Sequence, residues 1–373
     1  MVLDMNLITE KKESLGLSHK DPFQANILEL RRLNHAASEK MIYHLVLDLQ
    51  GSSIQYEVGS CIGIYPKNDV KEIFHLCRLL RLSPTTPFYC ERLERTLTVR
   101  EFLYSHANLD KVTKKHGELA SLDPEFTDLQ QLDHVSLIEM NPDIADPIVY
   151  LNALLPLLPR YYSIASSKHR GPFRVELLIA SVDYEKAGKE KKGALSRYLE
   201  EIDPESGTLD IFYLHNPRFT VPEDHGTPII MIGPGTGLAA FRGFLQERVH
   251  QNASGKNWLF FGARKRLHDF YYQEELEEYI EAGKLILDTA FSRDQEEKIY
   301  VQHRMWENRH VLWQWITQHG AHLYICGDAK HMAKDVEAML EKIAIDLQGF
   351  SPLEAKRFFK DLRKEKRMHL DVY

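Results

Sequence analysis

The sequence predicts an antiparallel β-barrel interrupted by a helical insertion, followed by a doubly wound parallel α/β domain. Three observations carry that expectation. At 373 residues the chain exceeds what one hydrophobic core usually serves, so two domains are expected. Ahead of residue 70, short stretches with period-two patterning are separated by tight turns, as in antiparallel sheets. Beyond Pro222, continuous apolar runs alternate with helical patterns, as in parallel sheets covered on both faces. The expected layout is a lead-in over 1–20, a barrel domain over 21–222 with its insertion at about 70–157, and an α/β domain over 223–373.

In chain order, strand patterning begins near Asn26 and is clearest over residues 41–49. The turn Gln50-Gly51-Ser52-Ser53 separates that stretch from short strands expected at 54–57 and 61–65. The pattern then becomes helical. Over 69–82, Val70, Ile73, Phe74, Cys77 and Leu80 fall on one face, with Asp69 as N-cap. Further short helices are expected at 98–106, 129–140 and 148–158. Strands resume at 160–165, 174–182 and 208–214, with a lysine-rich loop at 185–192. Ile229-Ile230-Met231-Ile232 has the composition of a strand buried on both sides. After it come helix 238–249, strand 258–261, helix 273–281, strand 285–290, helix 304–319, strand 322–326, helix 330–347 and a short strand at 369–373. Ligands of such sheets sit beyond the carboxyl ends of the strands, which places Gly233, 289–293 and 326–328 on one rim.

Composition narrows the function classes. With 43% hydrophobic and 27% charged residues the chain reads as a soluble globular protein, and a net charge of −7 gives no basic footprint for nucleic acid. Cys61, Cys77, Cys90 and Cys326 are scattered, without metal-site or disulfide-scaffold spacing, so no metal is expected. Residues 1–20 lack a secretory apolar core, and the longest apolar run, near 148–158, is short and contains Pro156. These features predict a cytoplasmic protein with no membrane span.

Five stretches carry chemistry. Arg160-Tyr161-Tyr162-Ser163-Ile164-Ala165-Ser166-Ser167 offers a cation, adjacent rings and hydroxyl groups. In a strand Arg160 and Tyr162 share one face, Tyr161 and Ser163 the other. A flat redox-active ring with a pyrophosphate tail needs this set, although an ordinary strand ending in a serine-rich turn fits these residues equally well. Gly233-Pro234-Gly235-Thr236-Gly237 joins a buried strand to a helix, where backbone can approach a phosphate. No Gly-Lys-Ser/Thr follows, which excludes a P-loop. Ser292, Arg293, Lys298 and Tyr300 supply cations and hydroxyls suited to a nucleotide 2′-phosphate, where a free ribose would favour an acidic residue. Cys326 ends a further strand on the same rim, as packing material or in touch with a nicotinamide ring, and Tyr373 places an aromatic at the last position.

Together these stretches resemble the FAD/NADPH module of the diflavin reductases, a branch of the ferredoxin–NADP reductase fold. The resemblance covers about 21–373 and is most specific from Leu158 onward. There Arg-x-Tyr-Ser-Ile-Ala-Ser-Ser, Ile-Gly-Pro-Gly-Thr-Gly, Ala-Phe-Ser-Arg, Lys-Ile-Tyr-Val-Gln, Cys-Gly-Asp and Asp-Val-Tyr follow in the family's order. It implies an FAD-binding barrel and an NADP-binding α/β domain. Arg160, Tyr161, Tyr162 and Ser163 would hold FAD, with Tyr162 on the ring and Ser163 near its N5. Leu178, Ile179, Ala180 and Tyr184 would line the flavin nucleotide, and Gly193, Ala194, Leu195 and Ser196 its pyrophosphate. Thr236, Ser292, Arg293, Lys298, Ile299, Tyr300, Val301, Gln302 and Asp335 fall at NADPH positions, and Arg31 is a further candidate. Ser163, Cys326 and Asp371 would assist hydride transfer, and Tyr373 would shield the flavin until nicotinamide displaces it.

The resemblance further implies that the family's N-terminal FMN-binding domain is missing, because no Thr-x-Thr-Gly loop precedes Asp21. Electrons would then pass to a separate protein: a flavodoxin-like FMN protein, a ferredoxin or a sulfite reductase hemoprotein. The alternatives are a flavodoxin or ferredoxin reductase of another pathway, or a non-catalytic FAD-binding scaffold.

Overall fold

A computed structural model describes residues 15–123, 125–186 and 188–373; most of the expected lead-in, 1–14, lies outside the described residues. The chain divides into two compact units. Of the described residues, the first comprises those up to Ile62 with Tyr161–Ala180 and Pro204–Tyr373, the second those of Gly63–Arg160 and Ser181–Asp203.

An antiparallel six-stranded sheet contains β1 (Phe23–Arg32), β2 (Ile42–Asp48), β3 (Cys61–Tyr65), β6 (Arg160–Ser163), β7 (Arg174–Ala180) and β10 (Thr208–Leu214). Their order is β6-β3-β10-β1-β2-β7. Just past β6, Ile164 bridges Leu177 of β7, so the two ends of that order meet and the sheet closes into a barrel. β1 pairs with β10 through residues 23–26 and with β2 through 27–32, and its register slips between Ile27 and Glu29. Such a bulge lets one strand serve two neighbours around a closed sheet. The strand expected at 54–57 is absent: Ile54, Tyr56 and Val58 are buried, but from a loop. There the alternation anchors a turn, with the Tyr56 hydroxyl bonded to Ser166 Oγ at 2.9 Å and donating to the Arg174 carbonyl at 3.1 Å.

The parallel sheet contains β11 (Ile229–Ile232), β12 (Asn257–Ala263), β13 (Ile286–Phe291), β14 (His322–Gly327) and β15 (Met368–Val372), in the order β13-β12-β11-β14-β15. Its continuous apolar runs have a direct cause. Ile230, Ile232, Trp258, Phe260, Leu323 and Ile325 join one core with the helices after residue 300. Their strand neighbours Ile229, Met231, Leu259, Phe261, Tyr324 and Cys326 join another, with helix Leu238–His250. That helix is buried nearly all round, Arg242 and Arg248 included. Arg242 is accommodated by Glu176 and Glu275 at 2.6 Å each and by the Ala165 carbonyl at 2.7 Å, with Tyr272 beneath it at 4.3 Å. Desolvation alone would lower its pKa; Tyr272, Glu275 and Glu176 outweigh it, so the guanidinium stays charged.

Two further expectations change here. The single helix at 304–319 is two, Val301–Glu307 and Arg309–Thr317, because Asn308 leaves the helical path and donates to Asp288 at 3.1 Å. A helix not expected, Pro352–Lys364, begins with a Ser351/Glu354 capping box and proline in its first turn.

The second unit holds helices Val70–Leu79, Val99–Ser105, Lys114–Leu119, His134–Met140, Pro147–Ala153 and Ala194–Glu201. It also holds two hairpins, β4 (Pro87–Cys90) with β5 (Arg95–Thr98) and β8 (Asp183–Lys186) with β9 (Lys189–Lys192). Asp69 caps the first helix, accepting from the Lys71 amide at 2.7 Å. Its buried face is Ile73, Leu76, Cys77 and Leu80, whereas Val70 and Phe74 are exposed; Leu76 completes the stripe that the expected set lacked. The lysine-rich segment is a hairpin and not a loop. Lys191 reaches Asp133 at 2.5 Å and Glu72 and Asp110 at 3.3 Å, and that ionic anchor fixes the strand pair.

Candidate functional site

The parallel sheet ends in a rim of backbone and polar groups. After β11 the chain turns through 233–237 into helix Leu238–His250. Gly235 has φ +61° and open space where a side chain would stand, leaving its backbone accessible. Gly237 is required for a different reason: a Cβ there would lie 2.1 Å from the Cys326 carbonyl oxygen. The glycine turn and the end of β14 therefore touch through main chain.

Parallel register sets Cys326 beside Asp371 and Gly327 beside Val372. Ser163 Oγ donates to Asp371 Oδ2 at 3.0 Å, and Cys326 Sγ donates to the same oxygen at 3.8 Å. Desolvation raises the Asp371 pKa above the ordinary carboxylate value, against the lowering effect of these two donors. Burial pushes the Cys61 thiol up to about 12, with Asp371 adding to the shift, and Cys326 is raised well above its ordinary value for the same reasons. The outcome is a desolvated cluster of weakly acidic groups around one carboxyl, suited to an uncharged reacting ring. Beside it, Tyr373 Oη and Thr236 Oγ1 are 3.0 Å apart. The Tyr373 main chain is fixed on both sides, its amide donating to Gly327 O at 3.1 Å and its carbonyl accepting from the Ala329 amide at 3.0 Å.

Further along the rim a cavity of about 410 Å³ is lined by Pro234, Gly235, Ser292, Tyr300, Val301, Gln302 and Asp335, and also by Lys40, Arg264 and His331. Its size suits a nucleotide portion. Desolvation, then Arg264, lowers the Lys40 pKa. Gln302 Nε2 donates to Asp335 at 3.4 Å. Arg293 stands at the edge of this set and bonds Glu39 at 2.5 Å. Lys298 is exposed nearby, and Ile299 packs on the hydrophobic core instead of facing the cavity. The open backbone, cations and hydroxyls fit a nicotinamide nucleotide bearing an additional phosphate.

The expected flavin residues fall in both units. In the first, Tyr161 is exposed and packs edge-on against Phe212 at 6.0 Å, Tyr162 is half-buried and Ser163 buried. Leu178 and Ile179 have buried side chains, and Ala180 packs on the same core as Leu178. In the second, Arg160 Nη1 donates to the Leu158 carbonyl at 2.7 Å and Tyr184 Oη donates to Asp110. The Gly193 amide donates to the Val182 carbonyl at 2.8 Å, and Ser196 Oγ accepts from the Val182 amide at 2.9 Å. Ala194 is half-buried and Leu195 buried. Arg31 is paired with Glu29 at 2.6 Å.

Sequence reasoning missed Lys40, Arg264 and Cys61. Arg264 directly follows β12, so the rule that ligands gather at carboxyl strand ends points to it. Lys40 and Cys61 carry no comparable signal.

Comparison with known proteins agrees with this geometry. Residues 16–135 match the FAD binding domain model and residues 231–338 the oxidoreductase NAD-binding domain model. The chain thus combines matches to an FAD binding domain and to an oxidoreductase NAD-binding domain. Among curated proteins it is 37% identical over 367 residues to the sulfite reductase [NADPH] flavoprotein alpha-component of Escherichia coli O1:K1 / APEC, covering 94% of this chain and 61% of that protein. The same component from Escherichia coli O9:H4 (strain HS) is 37% identical over 371 residues, covering 95% and 61%, and that of Shigella flexneri 37% over 367 residues, covering 94% and 61%. The chain thus spans about three-fifths of the length of the curated relatives it matches. The two matched models are those of domains that bind FAD and a nicotinamide dinucleotide. Among the described residues, no helix is long and apolar enough to cross a membrane.

Proposed function

We propose that the protein is a cytoplasmic NADPH-dependent FAD reductase that passes electrons to a separate acceptor protein. The sulfite reductase hemoprotein is the first candidate acceptor, since the relatives are named for that system. A flavodoxin-like protein or a ferredoxin is the alternative. The observation that carries the reading is the 3.0 Å contact between Ser163 and Asp371, residues 208 positions apart. It supports the reading because it joins the end of the aromatic strand to the rim of the parallel sheet.

Bound FAD supplies hydride acceptance and one-electron release. The chain's own residues hold and orient. Tyr161, Tyr162 and Arg160 bind the flavin, with Leu178, Ile179 and Ala180 contributing main chain because the Leu178 and Ile179 side chains are buried. Tyr184 and Gly193 to Ser196 receive the nucleotide and pyrophosphate. Asp371 accepts the Ser163 hydroxyl proton in a hydrogen bond and so fixes where that oxygen points. Cys326 closes the other side of the same carboxyl and excludes water from it. Thr236, Ser292, Arg293, Lys298, Tyr300, Gln302 and Asp335 place NADPH along the rim, with Ile299 and Val301 as backing. Tyr373 covers the ring position, and its side chain rotates aside to admit nicotinamide.

The test is stopped-flow mixing of the FAD-loaded protein with NADPH, followed by candidate acceptors added singly. Rapid bleaching of the flavin by NADPH, slow bleaching by NADH, and reoxidation by one acceptor are expected. A protein that refuses FAD, or whose flavin NADPH leaves oxidised, ends the proposal; the latter result favours the scaffold alternative.

A further inference from the structure

The cations of the phosphate end already have an anion. Glu39 Oε2 accepts from Arg264 Nη1 at 2.8 Å and from Arg293 Nη1 at 2.5 Å. This contact is built, because the loop bearing Glu39 is fixed to the segment bearing Arg264. Asp269, which is buried, accepts from Ser38 Oγ at 2.5 Å, from Asn34 Nδ2 at 3.3 Å and from the Lys265 amide at 3.1 Å. The His35 amide donates to the His268 carbonyl at 2.9 Å, and the two imidazole rings stack at 5.2 Å. Glu39 is itself exposed, so its carboxylate can leave the arginines while the loop stays in place. Arg264 lines both the small hollow beside Glu39 and the large rim cavity, where Lys40 and Ser292 also stand.

We propose that Glu39 is a resident counter-ion occupying the seat of the NADPH 2′-phosphate, and that it sets nucleotide selectivity by competition. The inference rests on the NADPH reading above. A carboxylate brings one negative charge, whereas a phosphomonoester brings about 1.5 to 2 near neutral pH and three strong acceptor oxygens. A phosphomonoester can therefore outbid Glu39 for two guanidinium groups, which bind such oxygens in forked pairs. A free ribose offers nothing in exchange for breaking the contact. Selectivity for NADPH is thereby sharpened, and affinity for it is held below what bare arginines would give.

Titration calorimetry on the FAD-loaded protein with 2′,5′-ADP and 5′-AMP tests this. Wild type should bind 2′,5′-ADP more tightly than 5′-AMP. Both Glu39→Gln and Glu39→Ala should tighten 2′,5′-ADP about three- to fivefold, the scale of an exposed ion pair, and leave 5′-AMP alone. In an Arg264→Gln/Arg293→Gln background the gain should vanish. Unchanged or weaker 2′,5′-ADP binding in both Glu39 variants, or a gain that survives loss of the arginines, overturns the counter-ion role. Equal wild-type affinity for the two nucleotides overturns the NADPH reading itself, and the counter-ion role with it.

Discussion

Asp371 and Glu39 are both carboxylates of the first compact unit, and their surroundings push them in opposite directions. Asp371 accepts from two neutral donors, Ser163 and Cys326, and desolvation outweighs them, so its proton is held more tightly than usual. Glu39 is exposed and saturated by arginines; the hydrogen bond from Arg293 comes first among the causes that hold its pKa below the ordinary value. One chemical group thus stands at both ends of the proposed dinucleotide site in two different states, because solvation and the charge of the donors decide its state. The Asp371 end suits an uncharged ring that changes during reaction. The Glu39 end suits a phosphate that does not.

Disturbing the Asp371 end should therefore affect the rate, and disturbing the Glu39 end should affect affinity. Replacing Ser163 by Ala should slow flavin reduction by NADPH about 100-fold, the scale of a misplaced reacting group, with little change in NADPH affinity. Stopped-flow reduction rates measured against NADPH concentration separate the two quantities, and a pure affinity defect would erase the contrast. Arg293→Ala should do the reverse, weakening NADPH by about 1.5–3 kcal/mol, the range for hydrogen bonds to charged groups, while NADH binding hardly moves. Equal losses for both nucleotides in calorimetry would remove Arg293 from the 2′-phosphate.

The smallest effect lies in stability against pH. A raised folded pKa at Asp371 gives a stabilising contribution that is full below the unfolded value, about 3.9, and lost as pH rises through the raised one. Asp371→Asn should therefore gain on wild type as pH rises. A lowered folded pKa at Glu39 gives a contribution present above about 4.3 and lost as pH falls through the lowered one. Glu39→Gln should trail wild type near neutrality and draw level in acid, with salt shrinking the gap. Urea unfolding across pH checks both, and shifts of the same sign would mean that the two sites do not differ as described.

The stretches that carry backbone chemistry were readable in advance. Ile229-Ile230-Met231-Ile232 announced a strand packed on both faces, and the glycine turn after it fell at the carboxyl rim where such sheets bind ligands. Ser292, Tyr300 and Gln302 were placed there from motif and position, and they line the cavity. The meeting of Ser163 with Asp371 was not derivable from spacing, because it depends on barrel closure and on the register of β15 against β14. Only the family resemblance brought those residues together. Glu39 and Lys40 had no pattern to give them away, being charges in a loop whose position depends on Asp269, 230 residues later. The helix Pro352–Lys364 is a different kind of omission, since its capping box and proline were legible and simply unread.

Tyr373 is anchored by its own amide to Gly327 and by its own carbonyl to Ala329, so the uncovering proposed for its ring requires only a turn about side-chain bonds. Motions of that kind in exposed residues take picoseconds to nanoseconds, far faster than rearranging a loop. Admission of nicotinamide should then be limited by what the hydroxyl gives up at Thr236 and the ring gives up in contact area, with no slow segmental opening to wait for.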